Sequence, residues 1–277
     1  MVKMNREEIQ VTSENTDSEK RGRIVFLSLL IALSMFVVKI AQNWDQSWIS
    51  YAVAAIYMVA TFLGLVWAFS FQIRLKSLPC LIQSSLFVGS EFLFVEMFFF
   101  EKLDRIYEAF LLLGILGVIW VATYVSFLMS NIFNVGLYKD IPLEQVARTA
   151  SYILSLFMVY FFTFSFLANG MAVYILLPVV FLAYFSITAM HIRYLEFEKK
   201  DFWRRTFLTT FIMFVLFLGS FLIGSKHEFV SIVPAAGFFA SIGGMSLSTS
   251  GKESKNTAFL YGAILFIVII LNILSNI

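Results

Sequence analysis

The sequence predicts an all-α fold, a polytopic bundle of about nine transmembrane helices. Of the 277 residues, 60% are hydrophobic and 14% are charged, whereas about 25% of the residues in a soluble domain are charged. The apolar residues form blocks of about 20, the length that an α-helix needs to cross ~30 Å of hydrocarbon. Lipid is therefore the predicted solvent for most of the chain.

The first 22 residues differ from the rest in composition. They carry acidic and basic side chains in similar number and few apolar ones, so they cannot bury enough surface to fold. We expect a disordered cytoplasmic tail at 1–22, followed by a single transmembrane helical domain at 23–277. The first apolar block ends without a small-residue cleavage site, so we interpret it as a retained anchor.

The sequence contains nine apolar segments, and each predicts one transmembrane helix. Short polar breaks separate them, and none of these breaks is long enough to hold a soluble domain. The segments are 23–41, 48–71, 80–100, 109–137, 150–169, 172–190, 206–224, 229–247 and 258–276.

The positive charges predict the orientation of the bundle. With the N-terminus inside, sixteen of the twenty Lys and Arg residues fall on the inner side. Such an excess marks cytoplasmic segments of membrane proteins. We therefore predict a cytoplasmic N-terminus and an outer C-terminus. The inner segments in this assignment are 1–23, 72–79, 138–149, 191–205 and 248–257.

Several kinds of chemistry have no motif in the sequence. Cys80 is the single cysteine, so no internal disulfide or paired-cysteine site can form. His191 and His227 belong to different loops or helix ends, and we predict no metal and no cofactor. The net charge of +2 reflects topology and does not indicate nucleic-acid binding. The zinc-protease, serine-hydrolase and P-loop motifs are absent, which disfavours an enzyme.

Glu91 is the main candidate for a functional residue. It lies ~16 Å along the third segment from Cys80, near the middle of the bilayer. An ionisable group at that depth costs at least a few kcal/mol, so it normally faces a partner or a cavity. We expect Glu91 to be uncharged at rest, either as a proton or cation site or as a structural acid bonded to a neighbouring helix.

Glu96 is a second candidate on the same segment. It lies ~7.5 Å nearer the outer surface and about 140° around the helix from Glu91. The two carboxyl groups therefore do not share a face, and the segment alone cannot form a paired-acid site. We expect Glu96 to be wetted near the outer headgroups. Ser85 and Gly89, on the same face, form a small-residue seam suited to close helix packing.

The eighth segment can be interpreted as a broken helix or as a packing helix. Freed carbonyls of broken helices bind ions in transporters. Ala236, Ala240 and Gly244 instead repeat at four-residue spacing, which favours packing. The candidates for a break are Pro234, Gly237, Gly243 and Gly244.

Two segments on the predicted inner side could form a cytoplasmic gate or a contact with lipid or a partner protein. Asn131 and Asn134 close the fourth segment, where Asn commonly caps a helix, so we interpret them as part of a connecting turn. The inner loop from residue 191 to 205 carries a basic cluster that could meet anionic lipid headgroups or a partner protein, although topology alone would explain it. The members of this basic cluster are Lys199, Lys200, Arg204 and Arg205.

Residues 131–156, NIFNVGLYKDIPLEQVARTASYILSL, resemble a segment of multi-pass membrane proteins from candidate-phylum bacteria. The resemblance implies a bacterial plasma membrane protein of unknown role. It assigns no functional residue.

Two functional hypotheses follow from these residues. The first is a small-solute or ion transporter or channel, with Glu91 as the binding carboxyl group. The second is a non-catalytic scaffold or assembly partner that uses its tail and inner loop for contacts. In either case the predicted partners are the lipid bilayer and, as a further possibility, a second copy or another membrane protein.

Overall fold

The computed structural model describes the backbone of residues 6–41, 47–73, 75, 77–98, 106–135, 142–195, 197, 199–249 and 255–275. Across these residues the secondary structure consists of helices joined by turns. The all-α prediction is therefore confirmed.

Nine helices lie in the described part of the chain, and each contains most of one predicted apolar segment. Eight of them are long and apolar enough to cross a membrane, while the apolar stretch described in the ninth, Phe259–Leu274, is shorter. The protein is a multi-pass helical membrane protein. The helices are α1 (Arg6–Ala41), α2 (Ser47–Ala68), α3 (Leu78–Phe98), α4 (Ile106–Val135), α5 (Pro142–Ala168), α6 (Val173–Arg193), α7 (Lys199–Ile223), α8 (His227–Thr249) and α9 (Lys255–Leu274).

Helix α1 begins at Arg6, within the segment that we expected to be disordered. Glu, Lys and Arg are good helix formers, and the apolar part of α1 removes the cost of nucleating a separate helix. Glu19 and Arg23 add an ion pair of 3.1 Å at i,i+4 spacing. The polar residues from Arg6 onward are therefore helical, and residues 1–5 lie outside the described part of the chain.

Contacts divide the described residues into two compact units. The first unit comprises the described residues of 1–89 and 101–147, and the second comprises those of 90–100 and 148–277. Helix α3 contributes residues to both units. Each unit has its own set of packed helices.

In the first unit, α1 packs against α2 and α4. Trp120 of α4 donates a hydrogen bond from Nε1 to Ser28 Oγ of α1 at 3.2 Å. Close packing in this unit depends on glycine, because a Cβ at Gly64 would lie 2.7 Å from Leu27 Cδ1. A Cβ at Gly89 of α3 would collide with the Met58 side chain of α2, so the predicted small-residue seam is confirmed at this glycine.

In the second unit, helices α6 to α9 pack in sequence order, each against the next. Aromatic rings fill much of the interior, and Phe94 of α3 stacks on Phe161 of α5 with ring centroids 4.4 Å apart. The turn between α7 and α8 contains Gly224 at φ +77°, a left-handed conformation that glycine adopts without steric cost. This tight turn brings α8 back antiparallel to α7.

Candidate functional site

Both predicted carboxyl groups lie on α3, the most enclosed of the candidate spans. In an 18-residue apolar stretch of α3, 72% of the residues are buried, against 28% to 61% in the other seven spans. Polar side chains of α3 are buried as well. Those that are 5% exposed or less include Gln83, Ser84, Ser85 and Ser90. Helix α3 therefore places its polar groups within protein.

Glu91 lies near the middle of α3. It is three residues, or ~4.5 Å along the axis, beyond Val88 at the centre of the helix. Its side chain is only 4% exposed, so the carboxyl group is enclosed by protein, as expected of an ionisable group at this depth.

Glu96 is buried almost as deeply as Glu91. The sequence led us to expect a wetted side chain, but Glu96 is 9% exposed. Phe94, two residues earlier on α3, contacts rings of α5, with its centroid 4.4 Å from that of Phe161 and 5.5 Å from that of Phe164. The two carboxyl groups are thus both enclosed and differ mainly in depth along the helix.

In the first unit, three serines connect α3 to α4, and we call them the serine cluster: Ser84, Ser126 and Ser130. Ser84 Oγ donates to the Ser126 carbonyl oxygen at 2.9 Å and lies 2.7 Å from Ser130 Oγ. Ser126 Oγ donates to Ser84 Oγ at 2.7 Å, and Ser130 Oγ donates to the Cys80 carbonyl oxygen at 3.0 Å. Small hydroxyl residues of this kind connect helices in membranes.

Asn134 connects α4 to the turn before α3. Its Oδ1 accepts a hydrogen bond from Ser77 Oγ at 2.8 Å, and its Nδ2 donates to the Gln72 carbonyl oxygen at 2.9 Å. The Asn134 side chain therefore joins the last turn of α4 to the turn that precedes α3. Asn131, one turn earlier, is half-buried.

The eighth segment forms one continuous helix with Pro234 inside it. A Cβ at Gly237 would lie 2.5 Å from Leu216 Cδ1 of α7, and one at Gly243 would collide with the Tyr261 ring of α9. The packing alternative is therefore supported at these two glycines. Gly244, which we had placed in the packing stripe, has no atom within 4 Å of an added Cβ.

The predicted inner basic cluster lies on the first two turns of α7. Lys199, Lys200 and Arg204 are exposed. The guanidinium group of Arg205 lies over the Phe197 ring, 4.1 Å from its centroid. Binding of anionic lipid or of a partner by this cluster stays a prediction.

His191 belongs to a polar group that the sequence did not predict. We had placed it in an inner loop, but it lies in the last turn of α6 and is only 3% exposed. Its Nδ1 is 3.3 Å from Ser151 Oγ of α5, and its ring contacts those of Tyr152 and Phe238 at 5.5 and 5.7 Å. The available signal was the spacing of Tyr184, Thr188 and His191, which places them on one helical face.

Three other hydroxyl groups of the second unit, those of Tyr152, Thr163 and Tyr184, have partners within it. Tyr152 donates from its hydroxyl to the Phe239 carbonyl oxygen at 2.9 Å. Thr163 Oγ1 donates to the Val159 carbonyl oxygen at 2.6 Å and lies 2.7 Å from the Tyr184 hydroxyl. The second unit therefore contains a polar interior of its own around α5 and α6.

The comparisons with known proteins assign no activity to either region. No protein-family model matches the chain, and no curated protein or solved structure matches it significantly. The bacterial plasma membrane implied by residues 131–156 stays a prediction. Among the residues that the structure describes, no group of three or more His, Cys, Asp or Glu side chains could hold a metal ion.

Proposed function

We propose that this membrane protein is a small-solute or ion transporter or channel in which Glu91 is the proton or cation site. The observation that supports this proposal is the burial of Glu91, 4% exposed near the middle of the most enclosed helix. An ionisable group at the bilayer centre costs about 2.5–3.5 kcal/mol or more. A residue of this kind is most often retained for binding or relaying charge.

The proposed mechanism depends on the charge of one carboxyl group. Without a bound proton or cation, the Glu91 carboxylate is strongly disfavoured in a low-dielectric interior. A bound proton or cation neutralises the Glu91 carboxylate. The protein with the ion bound and the protein without it therefore favour different amounts of water around α3. A conformational change that alternates this hydration would release the bound ion on the other side.

Glu96 extends the proposed pathway. It lies ~7.5 Å further along α3, on the outer side of Glu91 in the predicted orientation. Because Glu96 lies about 140° around the helix from Glu91, a relay from Glu91 to the outer surface through Glu96 would pass through water or side chains between the two faces. In this mechanism Glu91 determines whether ions are bound, and Glu96 affects how fast they exchange.

Reconstitution in proteoliposomes with an imposed pH gradient tests the proposal. Glu91→Gln resembles the protonated acid and cannot release a proton, so we expect it to abolish pH-dependent flux. Glu91→Asp retains a titratable group and should preserve part of the flux. Glu228→Gln is the matched control, since Glu228 is an exposed acid in the first turn of α8, and it should leave flux unchanged.

The readout separates a proton from a metal cation. Proton flux is followed with a pH-sensitive dye inside the vesicles, and Na⁺ or K⁺ flux with the corresponding cation gradient. Folding of each variant is checked by size-exclusion chromatography in detergent. Wild-type flux that persists in both folded Glu91→Gln and folded Glu91→Leu, or an absence of flux for every ion tested, would contradict the proposal.

The exposed start of α7 favours a scaffold as the second candidate function. Lys199, Lys200 and Arg204 are exposed, and Trp203 beside them is 59% exposed. Basic and aromatic side chains together suit anionic headgroups or an acidic partner. A scaffold predicts a co-purifying protein that is lost when this cluster is neutralised. Recovery of the chain alone after mild crosslinking would count against it.

A further inference from the structure

Helix α7 has a buried face that carries three threonines, which we call the threonine face: Thr206, Thr209 and Thr210. All three are 0% exposed. Their spacing of three and four residues places them on one side of the helix, in line with the buried Met213 and Phe217. The face is therefore directed into the second unit and away from lipid.

The three hydroxyl groups on this face form no hydrogen bond with any described residue. A hydroxyl in a helix commonly donates to the carbonyl oxygen four residues earlier, and four other residues of this chain do so: Ser85, Thr163, Ser186 and Ser231. The α7 threonines do not use this partner. Buried hydroxyl groups are normally satisfied, by ordered water where protein atoms do not supply a partner.

The antiparallel register of α6 and α7 relates part of this face to His191. Thr188 of α6 donates to Met213 Sδ of α7 at 3.7 Å. One turn earlier on α6 and one turn later on α7, the Tyr184 and Phe217 rings are in contact, with centroids 6.3 Å apart. Continuing the register in the other direction brings Thr209 and Thr210 level with His191.

Polar groups from three helices thus converge at one level of the second unit. Helix α5 contributes Ser151, whose Oγ is 3.3 Å from His191 Nδ1, and α7 contributes the threonine face. The site is polar, and each threonine hydroxyl can both donate and accept a hydrogen bond. Ordered water needs two to four polar partners, and these groups supply that number.

We propose that the threonine face, together with His191 and Ser151, forms a buried water-binding site in the second unit. Water molecules there would satisfy the Thr206, Thr209 and Thr210 hydroxyl groups. This site is distinct from Glu91 and does not depend on the proposed transport function. Its ligand is neutral, because the groups that converge on it are hydroxyls and one imidazole.

Radiolytic hydroxyl-radical labelling tests this proposal without altering the protein. Radicals generated from bound water oxidise adjacent side chains, and methionine is oxidised readily to its sulfoxide. Met213 lies one turn from Thr209 and Thr210 and is 0% exposed, while Met158 and Met129 are 0% and 1% exposed. We expect several-fold faster oxidation of Met213 than of the two control methionines in the purified wild-type protein.

A variant links the labelling to the hydroxyl groups. Thr209→Val and Thr210→Val together keep the shape of the side chains and remove two water partners, so Met213 oxidation should fall to the rate of Met158. Oxidation of wild-type Met213 at the control rate would overturn the proposal. Fast oxidation of Met213 that is unchanged in the folded double variant would also overturn it, because the water would then not depend on these residues.

Discussion

The serine cluster of the first unit and the threonine face of the second unit use the same functional group in opposite ways. In the serine cluster each hydroxyl has a protein partner, and the bonds join α3 to α4. On the threonine face no hydroxyl has a partner among the described residues. Hydroxyl groups that bond to one another and to nearby carbonyl oxygens stabilise helix packing. Buried hydroxyl groups without protein partners are suited to binding a ligand.

This difference has a thermodynamic consequence. Interhelix hydrogen bonds in membranes contribute about 0.6 kcal/mol on average and up to about 1.7 kcal/mol. Leaving a buried partner unsatisfied costs about 1–3 kcal/mol. Substitutions in the serine cluster should therefore lower stability, and substitutions of hydroxyl groups without protein partners should leave it nearly unchanged.

The largest expected effect is that of Ser84→Leu. Ser84 is 0% exposed, so a leucine would overpack the α3–α4 contact and remove the hydrogen bonds to Ser126 and Ser130. We expect the free energy of unfolding to fall by about 3 kcal/mol. The measurement is SDS-induced unfolding of the purified protein in mixed micelles.

Leu208→Ser provides a check on Ser84→Leu, because Leu208 is 50% exposed on α7. It should change the free energy of unfolding by less than about 1 kcal/mol. If Ser84→Leu is tolerated equally well, the serine cluster does not stabilise the first unit and the comparison between the units fails.

A smaller loss is expected from Asn134→Leu. The substitution removes the hydrogen bonds of the Asn134 amide with Ser77 and Gln72, so the Ser77 hydroxyl and the Gln72 carbonyl lose that partner. We expect a loss of about 2 kcal/mol, measured by the same unfolding assay. Asn131→Leu, at a half-buried site one turn away, should stay within about 0.5 kcal/mol of wild type. Equal losses at the two positions would contradict a specific contact at Asn134.

The helices could be predicted from sequence because lipid constrains composition over long stretches. An apolar block of about 20 residues identifies a span without knowledge of its neighbours. The predicted break between segments six and seven, 191–205, contains the end of α6 at Arg193 and the start of α7 at Lys199, so most of it is helical. Burial of a single side chain depends instead on which helix packs against it. Glu96 is therefore enclosed where the sequence indicated a wetted position.

His191 shows the same limit at the end of a helix. The polar run after it resembles a loop, yet α6 continues to Arg193 and α7 begins at Lys199. Because His191 is part of the helix, it lies on the same buried face as Tyr184 and Thr188. The spacing was visible in the sequence, but the partner Ser151 lies forty residues away and only packing brings it close.

Ser130→Ala and Ser165→Ala compare a bonded serine with an unbonded one directly. Both side chains are 0% exposed. Ser130 donates to the Cys80 carbonyl oxygen, whereas the Ser165 hydroxyl has no partner among the described residues. We expect Ser130→Ala to lower the free energy of unfolding by about 1 kcal/mol and Ser165→Ala to leave it unchanged or slightly higher. The reverse order would show that hydrogen-bond satisfaction does not distinguish the two units.

Among the hydroxyl groups that have a protein partner, the smallest loss is expected from Tyr184→Phe, within the second unit. The Tyr184 hydroxyl lies 2.7 Å from Thr163 Oγ1, but Thr163 also donates to the Val159 carbonyl oxygen at 2.6 Å. Thr163 therefore keeps a partner when the tyrosine hydroxyl is removed, and we expect a loss of about 0.5 kcal/mol in the same unfolding assay. Thr163→Val removes both bonds and should cost more. Thr163 and Tyr184 lie in the same unit as the threonine face. A small loss of stability in Tyr184→Phe would therefore show that the effect of removing a hydroxyl depends on the hydrogen-bond partners that remain, and not on the unit in which it lies.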